Sequence, residues 1–580
     1  MLRLLIISTL VLTLAVDSAV AQVFDERFED WPQKTSIYGT VAVGTRIEST
    51  ELLRPLLDGT SPDCHAILLT DDTLDPAVTD QFRILLGDFR LTELQTAADR
   101  PLASLLPQPL KSADVVCWLS GHPPSEATVA QTQKVRSDLD AFLDRNGILI
   151  LLGPQAPLAF GSFQLKEGQN TEWQDAVGLI PDSVVQSDDA STSETASTSE
   201  TETETVSDAA ADAAAAVDTA VDTNADSLTA ALSSRPRQFG IRLSGDGVLV
   251  LKGRTFRILG DATAEFVLPA ADWLPERRQI LKAQQSVRQN PRQYLVDLTE
   301  WRRDAIERTL EPFPPAVPPV PRVEHGTLMI VGGGGMPDGL MDQFIELAGG
   351  TQEARLVYVP CAEQRQVSAR QRTVEAWKAA GVRHATFIHS KDRHRAQSDA
   401  EFLKPLEQAT GIWFGGGRQW NFADSYYGTT AQRLMKQVLQ RGGVIGGSSA
   451  GASIQARYLA RATPIQNFRI MAPGYERGGL GFIGGVAIDQ HFSQRGRQKD
   501  LMQLVNRYPQ MLGIGIDEST ALIVRESVGE IVGAGRVFFY DHRDSDHPDQ
   551  PNVTALPDGS SFDLAGRRVV VDTREPEPCP

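Results

Sequence analysis

Short apolar runs alternate with amphipathic stretches along most of this chain. Ala66-Ile67-Leu68-Leu69 and Asp114-Val115-Val116-Cys117-Trp118-Leu119 read as buried strands. Ala127 to Asn146 carries apolar residues at helical spacing and meets a C-cap at Gly147, after which Ile148-Leu149-Ile150-Leu151-Leu152 reads as another strand. A second region repeats the rhythm. Thr327-Leu328-Met329-Ile330-Val331, Arg355-Leu356-Val357-Tyr358-Val359, Gly411-Ile412-Trp413-Phe414 and Val444-Ile445-Gly446-Gly447 are strands, separated by helical segments such as Gln371 to Ala380 and Thr430 to Gln440. Strands alternating with helices predict mostly parallel sheets covered by helices on both faces. The expected fold class is therefore α/β, with a doubly wound, mostly parallel domain in the second region preceded by a second α/β domain.

Between these regions the pattern changes three times. Ser187 to Ser234 is built almost wholly of Ser, Thr, Ala, Asp, Glu and Val, so it predicts a disordered acidic insert over 187–234. Phe239 to Val267 returns to strands, with Gly245-Asp246-Gly247 expected as a hairpin turn. A helical stretch is expected from about Pro275 to Leu310. Glu311 to Pro321 then carries six prolines, an extended spacer that marks a domain boundary. The expected organisation is a leader over 1–21, an accessory α/β domain over 22–186, the insert over 187–234, and strand hairpins and a helix completing the accessory region over 235–310. A proline-rich linker over 311–322, a doubly wound domain over 323–542 and a polar tail over 543–580, with one strand candidate at Arg568-Val569-Val570-Val571, follow.

Length and charge narrow the function. At ~100–200 residues per domain, 580 residues make several units. The net charge of −18 argues against a nucleic-acid binder, although 11 of the acidic residues lie in the insert. Residues 323–542 alone hold 24 Lys plus Arg against 20 Asp plus Glu, which admits a carboxylate-bearing substrate. Met1-Leu2-Arg3, the apolar run Leu4 to Val16 and Ala19-Val20-Ala21 form the pattern of a cleaved export signal, so a periplasmic or extracellular protein beginning near Gln22 is expected, with no membrane span after cleavage. Cys64, Cys117, Cys361 and Cys579 allow three pairings, and buried free thiols are the preferred reading.

Chemistry concentrates near the fourth strand of the second region. Gly447-Ser448-Ser449-Ala450-Gly451 fits G-x-S-x-G between a strand and a helix, so Ser449 is a candidate nucleophile on a sharp turn that only small neighbours permit. A serine nucleophile needs a base and the base an orienting acid. His491 closes the strand Gly485-Val486-Ala487-Ile488, and Glu518 follows the Gly-flanked strand ending at Ile516. The order Ser, His, acid is not that of the α/β-hydrolases, nor that of chymotrypsin or subtilisin.

Four motifs in this order resemble the cyanophycinases of serine peptidase family S51: Phe414 to Gln419, Gly446 to Ala452, Asp489 to Arg497 and Gly513 to Ala521. The resemblance covers roughly 323–540. It implies a class I amidotransferase-like fold and hydrolysis of poly-aspartate bearing arginine on its side chains, releasing β-Asp-Arg dipeptides. It makes Ser449 the nucleophile, His491 the base and Glu518 its orienter. It also implies an oxyanion hole from the backbone of Gly416, Gly417 and Ala450, and a substrate site lined by Gln419, Asp489, Gln490, Arg495 and Arg497. Arg418 and Asp500 depart from the family pattern and bear on the substrate rather than the chemistry. An Asp-specific exopeptidase and a binding protein with a vestigial elbow are the alternatives. No cofactor or metal is expected, the partner is a peptide or polymer substrate, and a homodimer is compatible with it.

Three features are set aside. Gly332 to Gly335 is read as a tight turn at the sheet edge, because its spacing is not G-x-G-x-x-G. His542, Asp544, Asp546 and His547 are read as a solvated loop, and Cys361 as core.

Overall fold

The computed structural model describes residues 31–573 except 33–35, 37, 45–49, 59, 62, 98–99, 155, 168–169, 188–222, 284–294, 466–468 and 548. The expected leader, most of the acidic insert and Cys579 therefore lie outside the described residues. The chain divides into two compact units, one of residues 36–296 and one of residues 297–580 together with the segment up to Thr35.

In the second unit the main sheet runs His384–Phe387, Arg355–Cys361, Gly411–Gly417, Val444–Ser448, Val323–Val331, Thr520–Glu526, Val528–Gly533, Ser561–Asp563 and Arg568–Val571. The first five are mutually parallel and the last four antiparallel. Leu328, Met329, Ile330 and Val331 are fully buried, as a strand covered on both faces requires. The helix Thr430–Gln440 lays Leu434, Met435, Val438 and Leu439 into that core and stops before Gly442, whose φ of +85° carries the chain out of the helix. A smaller sheet runs Ala456–Tyr458, Ile483–Gln490, Leu512–Ile516, Val537–Asp541 and Asn552–Leu556.

The first unit is built on the same plan. From one edge its larger sheet runs Arg90–Thr96, His65–Asp71, Val115–Leu119, Ile148–Leu152, Thr40–Gly44, Gly247–Lys252, Thr255–Gly260 and Val296–Asp297. Again five parallel strands are joined by antiparallel ones. Taken in chain order within each unit, the five parallel strands stand third, second, fourth, fifth, first in both. The second sheets correspond as well: Phe160–Glu167, Ile180–Ser187, Phe239–Ser244, Thr263–Leu268 and Arg277–Lys282 succeed one another with the same directions as their counterparts. The mixed α/β architecture expected from the sequence is present in both units, and the topological repeat was invisible as a sequence period.

Several boundaries differ from expectation. Phe239–Ser244 and Gly247–Lys252 do not form a hairpin: they lie in different sheets, and Gly245 at φ +78° turns the chain from one to the other. The hairpin is Gly247–Lys252 with Thr255–Gly260. Within the expected helical stretch, Arg277–Lys282 is a strand, because it completes the second sheet against Thr263–Leu268. Thr223–Ser233, at the end of the acidic insert, is a helix whose Leu228, Ala231 and Leu232 pack with Val184 and Val267. The proline-rich stretch belongs to the second unit, where Phe313 stacks on Tyr458 and Pro319 lies against Gly484. Beyond residue 542 the chain supplies three strands, the expected Arg568–Val571 and, besides it, Asn552–Leu556 and Ser561–Asp563.

Candidate active site

The carboxyl end of Val323–Val331, in the middle of the sheet, organises the site. Three successive carbonyls there accept backbone N–H groups from three loops: Val331 from Ser449 at 3.0 Å, Gly332 from His491 at 2.8 Å and Gly333 from Ser519 at 2.8 Å. The glycine run is thus no edge turn. It is the fixed point on which the three candidate catalytic loops are hung. Its lack of side chains is a steric requirement. A Cβ on Gly332 would lie 2.0 Å from the Asp517 carbonyl oxygen, one on Gly333 2.3 Å from His491 Cε1, and one on Gly334 2.3 Å from Glu518 Oε2. Position at a strand's carboxyl end was the available clue, since sites of α/β sheets gather there.

On this frame Ser449 Oγ lies 2.8 Å from His491 Nε2, and His491 Nδ1 lies 2.5 Å from Glu518 Oε1. Ser449 sits at φ 58°, ψ −113° on the turn between Val444–Ser448 and the short helix Ala450–Ser453. His491 and Ser519 also have positive φ, 51° and 54°. Such conformations cost of order 1–3 kcal/mol each and persist only where surroundings enforce them. The turn is enforced by close packing: a Cβ on Gly447 would fall 2.3 Å from the Gly451 carbonyl oxygen, and one on Gly451 2.2 Å from that of Phe414. The exposed Gly416 and Gly417 continue the neighbouring strand, with the position of a Gly416 Cβ 3.5 Å from that of Ser449. The buried Ala450 begins the helix on the other side.

The two carboxylates after Leu512–Ile516 divide the work. Glu518 reaches His491, while Asp517 is buried and accepts from the backbone N–H groups of Ser493 and Arg536. Gln494 receives the Glu518 N–H at 3.0 Å, so the loop after His491 also fixes the acid. The His491 side chain is 8% exposed. Burial, with the nearby Arg495 charge, outweighs the Glu518 hydrogen bond and holds the imidazole below its ordinary pKa. It is therefore neutral, and able to accept a proton, near pH 7.

The residues expected to line a substrate site are distributed differently. Asp489 is fully buried, held by Arg461 Nε at 2.9 Å and Arg497 at 2.9 Å, and Arg461 also bonds Asp500 at 2.7 Å. Gln419 is buried and donates to the carbonyls of Ala460 and Arg461. Gln419, Asp489 and Arg497 thus meet in an interior network beneath the loop that bears His491. Asp500 belongs to that network, where it answers the charge of Arg461. Gln490 is buried too, and its Oε1 has no partner among the described residues. Arg495, by contrast, is exposed, as is Arg418 after the glycine turn. Arg461 was missed because it stands in no motif, thirty positions from the histidine loop.

The Cys361 thiol donates to the Arg418 carbonyl at 2.8 Å, and burial pushes its pKa up to about 12, so it is no thiolate. Cys64 and Cys117 are free as well. His542 bonds Asn506 at 2.7 Å. Among the described residues no group of His, Cys, Asp and Glu has the arrangement of a metal site, and no helix is long and apolar enough to cross a membrane.

Comparison with known proteins points the same way. Residues 328–532 match the profile of peptidase family S51. The cyanophycinase of Geminocystis herdmanii (strain PCC 6308) is 28% identical over 223 residues, 37% of this chain and 79% of that protein. Those of Trichormus variabilis (strain ATCC 29413 / PCC 7937) and Synechococcus elongatus are each 27% identical, over 36% and 39% of this chain and 70% of theirs. A peptidase from an acI-B1 Actinobacterium, known from its crystal structure, is 24% identical over 42% of this chain and 98% of its own, with a TM-score of 0.32. The matched segment is the part of the chain that carries Ser449, His491 and Glu518, and the similarity supports a serine-type peptidase.

Proposed function

We propose that this protein is an exported peptidase that cleaves cyanophycin or a related Asp-containing polymer through Ser449, His491 and Glu518. The hydrogen-bonded chain from Ser449 Oγ through His491 to Glu518 carries the reading. In it, His491 Nε2 takes the Ser449 proton as Oγ attacks the scissile carbonyl, and Glu518 holds the imidazole ring and stabilises its charged form. Backbone N–H groups of Ala450 and of the Gly416-Gly417 turn receive the oxyanion. His491 then passes the proton to the departing amine. Water, deprotonated by His491 in turn, releases the acid product from the acyl-enzyme.

The substrate reading draws on the cyanophycinase relatives and on the exposed Arg495, whose guanidinium group suits carboxylates. The departures from the family pattern at Arg418 and Asp500 support a second reading, an Asp-specific exopeptidase acting on short peptides. Export rests on the residues up to Ala21, and N-terminal sequencing of the mature protein tests it, with Gln22 as the expected first residue. For the chemistry, a fluorophosphonate probe is expected to label the folded wild type and not Ser449→Ala. An unlabelled wild type overturns the assignment. Cyanophycin and Asp-initiated dipeptides offered side by side, with products identified by mass, decide the substrate. Release of β-Asp-Arg supports the first reading, and cleavage of the dipeptides alone the second.

A further inference from the structure

We propose that the first unit holds a binding cleft for a guanidinium-bearing side chain, at the position where the second unit places its glycine turn. The cleft has a volume of about 650 Å³, enough for a dipeptide-sized ligand. It opens at the carboxyl ends of His65–Asp71, Arg90–Thr96 and Val115–Leu119. Strand order makes this a crevice. The chain leaves His65–Asp71 outward to the edge strand Arg90–Thr96, and leaves Val115–Leu119 inward to Ile148–Leu152. Loops departing in opposite directions from neighbouring parallel strands create the switch point where ligands of α/β sheets bind.

The crevice is preformed. Ser120 Oγ and Thr73 Oγ1 both donate to the Asp71 carboxylate, the latter at 2.6 Å, and so tie the two loops together. These bonds keep Asp71 ionised, holding its pKa below the ordinary value although burial opposes them. The chemistry of the wall selects the ligand. Asp71 and the exposed Asp72 present carboxylates, and Gln131 Oε1 is buried with no partner among the described residues. No lysine or arginine is among the lining residues, which set a single histidine, His122, against the carboxylates of Asp71 and Asp72, so a phosphate or carboxylate ligand meets mainly negative charge. A guanidinium offers five N–H donors in a planar fork to such acceptors. Trp118 and Leu102 supply apolar wall for its methylene stem.

The residues alone select a donor-rich cation. The choice of arginine rests on the proposed function, whose polymer substrate displays it. After Ile148–Leu152 stands Gly153-Pro154, where the second unit has Ser449 following Val444–Ser448. The unit is thus equipped to hold a substrate chain and not to cut it.

Calorimetric titration of the full-length Ser449→Ala protein tests this without turnover. N-acetyl-L-argininamide is expected to bind saturably. The uncharged isostere N-acetyl-L-citrullinamide should bind at least about tenfold more weakly, the loss expected for a charge-assisted hydrogen bond. Asp72→Asn, an exposed position that should leave the melting temperature unchanged, should weaken the arginine probe by a similar factor. Equal binding of both probes, an affinity unaffected by Asp72→Asn, or displacement of the probe by inorganic phosphate overturns the proposal. Failure of the wild type to hydrolyse cyanophycin would instead remove the substrate reading while leaving the binding result to stand by itself.

Discussion

The two units carry the same succession of strands, yet only one holds the hydrogen-bonded chain of Ser449, His491 and Glu518. In the second, the fourth parallel strand in sequence order beyond the first ends in Ser448-Ser449; in the first, it ends in Leu152-Gly153-Pro154. The loop that bears His491 joins Ile483–Gln490 to the helix Gln498–Arg507, and between the corresponding elements of the first unit, Ile180–Ser187 and Thr223–Ser233, the sequence holds the acidic residues 188–222, which lie outside the described residues. After Leu512–Ile516 come Asp517 and Glu518, and after Phe239–Ser244 come Gly245 and Asp246. The architecture therefore provides a crevice and three loop ends wherever it is built. The second unit adds three side chains, which the proposed function makes catalytic, and a glycine spine that holds their loops in register.

The sharpest way to break this contrast is to remove the nucleophile. Ser449→Ala should lower kcat/KM by about 10⁴-fold or more while circular dichroism and the melting temperature hold, as expected when one member of a triad is lost. Residual activity above that level would mean that the first unit, or another serine, contributes to hydrolysis. The spine comes next. Gly333→Ala combines a φ of +101° with a Cβ driven into the His491 ring. It should cost about 10²-fold or more in kcat, since a displacement near 1 Å suffices for that. Gly153→Ala meets a comparable clash, 2.7 Å from the Ser120 carbonyl oxygen at φ +86°, but in the unit without the nucleophile. It should lower the melting temperature and leave kcat on a short Asp peptide within about twofold, because strain at an isolated positive φ is worth only about 1–3 kcal/mol. Equal kcat losses in the two variants would erase the division of labour.

What could be read from the sequence follows the range of the interactions. The strand and helix alternation, the elbow, and the three side chains each sit in a local pattern, and those residues are indeed within hydrogen-bonding distance. The oxyanion candidates Gly416 and Ala450 flank Ser449 for the same reason. The interior position of Asp489 was not legible, because it depends on Arg461, which arrives from a separate loop. The Gly332–Gly335 run was misread as an edge turn because nothing local tells a central strand from an outer one. The Gly245-Asp246-Gly247 turn fits a hairpin equally well as a change of sheet, and only the non-local pairing of Gly247–Lys252 with Thr40–Gly44 decides it. The repeat of the whole topology lies in strand order and not in residues, so no sequence period marks it.

The finest difference between the units is electrostatic, and pH reads it. Burial and Arg495 hold His491 below the ordinary histidine pKa of about 6.5, while Glu518 pulls the other way. The neutral base form therefore persists to more acidic pH than usual, and the acid limb of kcat/KM should fall off below that value. The sign of the Arg495 contribution gives the test. Arg495→Gln removes a positive charge that disfavours the imidazolium, so it should move the acid limb to higher pH, by a few tenths of a unit for an exposed charge in a screened setting. Added salt should move the wild-type limb in the same direction, and the variant's less. A limb that shifts downward, or one that Arg495→Gln leaves in place, would assign it to a group other than His491.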